Sequence, residues 1–163
     1  MIGKPIYIAK KYINWNYLSS NPNAINILEQ YKYMINWDSL SENPNAIYLL
    51  KQNLYKINWG NLSLNPNAID LLKQNLDKID WYKLSLNPNA IDLLEQNLDK
   101  INWYLFAQNP NAIHIFRKCL TGQIILPREQ HINKVIWEQH IVNVIWENIS
   151  FNPNAIDIIE RAK

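Results

Sequence analysis

The side chains best suited to chemistry are few, and their spacing does not support it. His131 and His140 lie nine residues apart, with Glu138 close to the second and Cys119 in the preceding repeat, so a metal site or a Cys-His pair is the first chemistry to consider. A helical zinc site wants His-x-x-x-His, and a thiol site wants Cys-x-x-Cys; the chain has neither spacing. Acyl transfer needs a serine, a histidine and an acid brought together, and proton transfer between carboxylates needs two acids in unlike surroundings. Here the serines and aspartates recur at a fixed step, which points first to a structural role. His140 and Cys119 both stand in the register of Asn97, near a helix end, and three glycines leave little material for a phosphate-cradling loop. The sequence therefore predicts no catalytic residue, no metal ligand and no cofactor, and a protein that is not an enzyme.

Composition narrows the partners. A chain of 163 residues has the length of one domain or a short repeat array, and 48% apolar against 18% charged residues is too oily for intrinsic disorder. No apolar run approaches the roughly 18 residues of a membrane span. Sixteen basic against fourteen acidic side chains give a net charge of +2, so neither nucleic acid nor anionic lipid is favoured as a partner. One cysteine cannot form an intramolecular disulfide, and the start Met1-Ile2-Gly3-Lys4-Pro5 does not lead into a secretory signal. An intracellular setting is expected.

The elements that position these residues come from an internal repeat. Asn-Pro-Asn-Ala-Ile begins at Asn21, Asn43, Asn65, Asn87 and Asn109, 22 residues apart each time, and returns at Asn152 after 43. Trp15, Trp37, Trp59, Trp81, Trp103 and Trp146 keep the same steps. The chain divides into an N-terminal half-unit (1–12), five regular units (13–122), a degenerate unit (123–143) with Ile125 in the tryptophan register and no Asn-Pro pair, and a terminal unit (144–163), all within one repeat domain.

Each unit reads as two helices. Asp80 caps a short first helix carrying Trp81, Leu84 and Ser85, little more than one turn and possible as 3₁₀. Asn87 then caps a second helix whose first position is Pro88, where a missing N–H costs nothing. Ala90, Ile91, Leu94 and Leu98 make one apolar stripe, and Asn97, tolerant of the left-handed conformation, stops the helix. The expected fold is an all-α solenoid of stacked 22-residue two-helix repeats. The alternative is a leucine-rich β-solenoid, because Trp81-x-x-Leu84-x-x-Asn87 has that class's leucine and asparagine spacing. The polar serines at 19, 41, 63 and 85, and the proline after the asparagine, argue against a strand there.

Over residues 13–122, Lys78-Ile79-Asp80-Trp81-x-x-Leu84-Ser85-x-Asn87-Pro88-Asn89-Ala90-Ile91-x-Leu93-Leu94 resembles the short Asn-Pro-Asn-Ala-Ile repeat proteins of giant DNA viruses. The resemblance implies interaction repeats rather than a chemistry, and a place in the host cytoplasm or the virion. Residues 123–143 depart from the pattern.

A residue repeated in every unit is expected to be structural, so the tryptophans are assigned to the core. The second motif asparagine (Asn23, Asn45, Asn67, Asn89, Asn111, Asn154) is assigned to a ladder bonding the backbone of the adjacent unit. Binding is better sought where the units differ. The position after each tryptophan reads Asn16, Asp38, Gly60, Tyr82, Tyr104, Glu147, and the next reads Tyr17, Ser39, Asn61, Lys83, Leu105, Asn148. Exposed Tyr and Leu on a rigid scaffold suit an interface, and Tyr17, Asp38, Tyr82, Lys83 and Tyr104 are the candidate partner-binding residues. A further column, Asn26, Tyr48, Asp70, Asp92, His114, Asp157, leans acidic and suits a basic partner. The expected function is a non-enzymatic scaffold that binds another protein. The alternatives are a virion or assembly component that binds itself or a capsid protein, and a helical-repeat reader of nucleic acid. The last lacks a basic column, since Glu29, Lys51, Lys73, Glu95, Arg117 and Glu160 alternate in sign.

Overall fold

The computed structural model describes residues 12–120 and 123. Nearly all of the half-unit 1–12, the degenerate and terminal units, and with them His131, Glu138 and His140, lie outside the described residues. Within them the chain is helical, with no strand, and repeats a pair of helices at each 22-residue step. The first helices are α1 (Trp15–Ser20), α3 (Trp37–Glu42), α5 (Trp59–Leu64), α7 (Trp81–Leu84) and α9 (Trp103–Phe106). The second helices are α2 (Ile25–Gln30), α4 (Ile47–Lys51), α6 (Ile69–Lys73), α8 (Ile91–Glu95) and α10 (Ile113–Leu120). The leucine-rich alternative falls, and the all-α solenoid stands.

Local chemistry refines the two-helix unit in four places. First, the short first helices are α rather than 3₁₀, because the N-cap carbonyl accepts from the fourth residue on: Leu84 N–H bonds Asp80 O at 2.8 Å. The cap side chains do as expected; Asp80 Oδ1 accepts from Lys83 N at 3.0 Å, and Asn36, Asn58 and Asn102 act likewise. Second, the Asn-Pro pair opens a turn rather than the helix itself. Ala90 N bonds Asn87 O at 3.1 Å, and the α-helix starts one residue later, at Ile91. Third, Asn97 stops α8 with φ −138°, outside the left-handed region. Its amide instead donates to Leu93 O at 2.8 Å, taking a carbonyl that the helix end leaves open. Fourth, a 3₁₀ turn absent from the sequence reading follows, at Leu54–Lys56, Leu76–Lys78 and Leu98–Lys100.

The units join into one continuous core. Leu40, Leu62 and Leu84 from the first helices meet Leu49, Leu50, Leu71, Leu72, Leu93 and Leu94 from the second, all buried. α1 stacks on α3, α3 on α5, and α5 on α7. Units two and three therefore each bury one face against the unit before and one against the unit after, as nearest-neighbour stability requires.

Candidate interaction face

Hydrogen bonding settles which repeated side chains are committed to the lattice. At the seam between units two and three, Asn65 Nδ2 donates to Ser41 O at 3.0 Å and Asn43 O at 2.8 Å. Asn67 Nδ2 donates to Pro44 O at 2.9 Å, and Asn58 N donates to Ser41 Oγ at 3.1 Å. The set recurs at the next seam, where Asn87, Asn89 and Asp80 take the same roles. The ladder expected of the second asparagine is present, and the first asparagine makes a stronger one that the sequence reading missed. Its Oδ1 accepts from the N–H two residues on while its NH₂ crosses the seam, so one buried side chain caps its own turn and holds the neighbouring unit. The serines are equally committed: Ser63 Oγ donates to Trp59 O at 2.8 Å and accepts from Asp80 N at 3.1 Å.

The tryptophans correct the core assignment. Trp37, Trp59 and Trp81 are half-buried, packed against the core, and each ring is covered by the lysine that closes its own unit. Lys56, Lys78 and Lys100 hold their ammonium groups 4.6, 4.8 and 4.6 Å from the three ring centroids. A cation over an indole face keeps the ring shielded while the charge stays wet.

What the lattice leaves open is the row that follows each tryptophan. Tyr17, Tyr82 and Tyr104 are 76%, 59% and 64% exposed, far more than a packed aromatic would be. Asp38 is exposed too, and its Oδ1 accepts from Asn58 Nδ2 at 2.8 Å. Lys83 is half-buried, because its ammonium reaches back to Asn61 Oδ1 at 2.9 Å, while Asn61 Nδ2 donates to Asp38 O at 3.1 Å. Side chains of units two, three and four are thus tied together beside the tyrosines. Leu105 reverses its expectation: it is 8% exposed and belongs to the interior, leaving no apolar aliphatic side chain in that row.

Other exposed aromatics lie where sequence reading named no site. Tyr33 and Tyr55 stand 22 residues apart in successive 3₁₀ turns, fully and 83% exposed. Tyr33 borders an open cleft of about 440 Å³ between units one and two, with Trp37, Lys32, Glu29, Gln52 and Lys56 around it. Reading that register column by column, Tyr33, Tyr55, Asp77, Asp99, would have exposed the change of character. The acid-leaning column at Asn26, Tyr48, Asp70, Asp92 and His114 is exposed along the second helices, and Asp157 lies outside the described residues.

At the far end, Glu95 pairs with Lys118 and lies 3.9 Å from His114 Nε2. Burial pushes the Cys119 thiol up to about 11, and the Glu95 carboxylate adds to the rise, so it is a thiol and a poor nucleophile at neutral pH. Among the described residues no three His, Cys, Asp or Glu side chains are grouped so as to hold a metal ion, and no helix is long and apolar enough to cross a membrane. The class of protein the geometry defines is an α-solenoid with hydrogen-bonded seams. No family model, no curated protein and no solved structure matches this chain.

Proposed function

We propose that the protein is a non-enzymatic scaffold that binds another protein through the row following the tryptophans, with Tyr82 and Tyr104 as anchors and Tyr17 and Asp38 extending the contact. The observation that carries this reading is the contrast within each unit. Asparagine and serine are consumed by the seams and tryptophan by the edge of the core, while the tyrosines beside them stay exposed on helices already tied to their neighbours. Aromatic anchors on a pre-ordered face lose little entropy on binding and commonly dominate interface energy. Lys83 supports the face through Asn61. The near balance of charge favours a protein partner over nucleic acid. The lone cysteine and the resemblance to the viral repeat proteins support an intracellular place, in the host cytoplasm or the virion.

Affinity capture from cells in which the native protein acts tests the reading. The double variant Tyr82→Ala/Tyr104→Ala should keep its melting temperature and lose the captured protein. Full capture by a folded double variant would move the interface to another face, and an early melt would make the tyrosines structural. Sub-micromolar RNA binding by the wild type would replace the protein partner.

A further inference from the structure

Two exposed columns change character at the same place in the array. Along the second helices Tyr48 is followed by Asp70 and Asp92, and along the 3₁₀ turns Tyr33 and Tyr55 are followed by Asp77 and Asp99. All of these side chains are exposed. In the turn column the lysine next to each aspartate is held elsewhere: Lys78 and Lys100 lie over Trp59 and Trp81, at 4.8 and 4.6 Å. Asp77 and Asp99 therefore stand as carboxylates without an ion pair among the described residues. Lys56 lies over Trp37 in the same way, and its ammonium is also 5.5 Å from the Tyr55 ring.

The aromatic half of the turn column runs beside the cleft between units one and two. Tyr33, Trp37 and Lys56 line that cleft, and Tyr55 adjoins it through Lys56. Gln30 and Gln52, one unit apart, bring two exposed amides to it, and Gln74 and Gln96 continue their register along the array. The spacing of such a column selects the shape of its ligand. Packed helices lie about 8–10 Å apart, so a chain lying along the turns must return a side chain to one face at that interval. An α-helix does so about every 5.4 Å and a β-strand about every 6.7 Å. A polyproline II helix, with three residues per turn at about 3.1 Å each, does so about every 9.3 Å. Its backbone carbonyls are free to accept from amides such as those of Gln30 and Gln52, and its rings pack against aromatic side chains.

We propose that the turn column binds a proline-rich segment of a partner protein that is followed by basic residues and held in the polyproline II conformation. Two prolines three residues apart pack on Tyr33 and Tyr55, with Trp37 lining the cleft beside them. The next two positions on the same face of the segment reach Asp77 and Asp99 and carry lysine or arginine. The two unpaired carboxylates supply the charge complementarity that decides which end of the segment lies at which unit. This surface goes beyond the row following the tryptophans: that row lies on the first helices, whereas this one lies on the 3₁₀ turns.

Nuclear magnetic resonance titration of the full chain with a synthetic ten-residue peptide tests it. The peptide has six prolines, a lysine, two prolines and a lysine, so that its first and fourth residues meet the tyrosines and its seventh and tenth the aspartates. Backbone shifts should move at Tyr33, Gln52, Tyr55 and Asp77, stay in place at Tyr82 and Tyr104, and approach saturation below about 1 mM peptide. Tyr33→Ala/Tyr55→Ala alters only exposed side chains, so it should melt with the wild type and bind at least about tenfold more weakly. Asp77→Asn/Asp99→Asn should bind about three- to tenfold more weakly and lose most of the salt dependence. A peptide with the same two lysines spaced by glycine and serine should also lose at least about tenfold, because it is not pre-ordered.

The proposal is overturned by shifts that do not move up to about 1 mM peptide, by either double variant binding as the wild type does, or by equal binding of the glycine-serine peptide. Tighter binding of a ten-nucleotide oligothymidylate to the same tyrosines would also overturn it, by assigning the aromatic row to nucleic acid. Tyr82→Ala/Tyr104→Ala should bind the proline peptide as the wild type does, so this surface and the row on the first helices fail separately.

Discussion

Units two to four and unit five are built on one template, and they differ where a few side chains change. Asn53, Asn75 and Asn97 each donate to the carbonyl four residues back, at 2.9, 2.9 and 2.8 Å, and α4, α6 and α8 each end after five residues. Unit five has Cys119 in that register, and α10 runs for eight. Unit one has Tyr31 there, and α2 runs for six. Among the described residues the five-residue second helices are the ones that carry this amide. Unit five also replaces the lattice serine with Ala107 and two core leucines with Phe106 and Phe116. The phenylalanine rings meet at 5.4 Å, and Trp103 lies 5.8 Å from Phe106.

That comparison can be broken most severely at a buried ladder asparagine. Asn65→Ala removes a cap and strands the Ser41 and Asn43 carbonyls inside the seam, so it should cost about 3–5 kcal/mol in urea unfolding. Asn21→Ala, at an exposed amide with no seam bond among the described residues, loses only a cap and should cost about 1 kcal/mol. Equal losses would show that the seam bonds contribute nothing beyond the turn. Trp59→Ala comes next. The ring is half-buried, which lowers the usual cost of deleting a large aromatic to about 2–4 kcal/mol by the same measurement, and a loss under about 1 kcal/mol would make the column surface rather than structure.

Ser63→Ala should follow at about 1–3 kcal/mol, because one hydroxyl serves Trp59 O and Asp80 N at once. The smallest effect sharpens the contrast with unit five. Cys119→Asn restores the stop, so nuclear magnetic resonance shifts should show α10 shortened toward the five residues of its neighbours. Stability should change by no more than about 0.5 kcal/mol. A helix that still reached Leu120 would show that the asparagine marks the stop without causing it.

Much of this was legible before any coordinates. The period, the caps at Asn36 and Asp80, the apolar stripe and the second asparagine's ladder follow from local chemistry repeated at a fixed step. The serines were less legible. Ser41 reads as a polar residue that argues against a strand, whereas its bond to Asn58 N spans 17 residues and exists only once units stack. The first asparagine shows the same limit: its capping oxygen is a local property, but the use of its NH₂ depends on the spacing of the neighbouring backbone. At the candidate face, the tyrosine exposures follow from variation within the row. The burial of Leu105 does not, because only packing distinguishes it from Lys83 in the same column.

The central claim is that the first motif asparagines hold the units together through their side-chain NH₂ groups. Exchange of those amide hydrogens with solvent, followed residue by residue in the intact chain, tests it most directly. Asn43, Asn65, Asn87 and Asn109 should exchange slowly, since each is buried and gives both hydrogens to the preceding unit, while the exposed Asn21 should exchange at the rate of a free amide. Exchange at Asn65 and Asn87 as fast as at Asn21 would contradict the account.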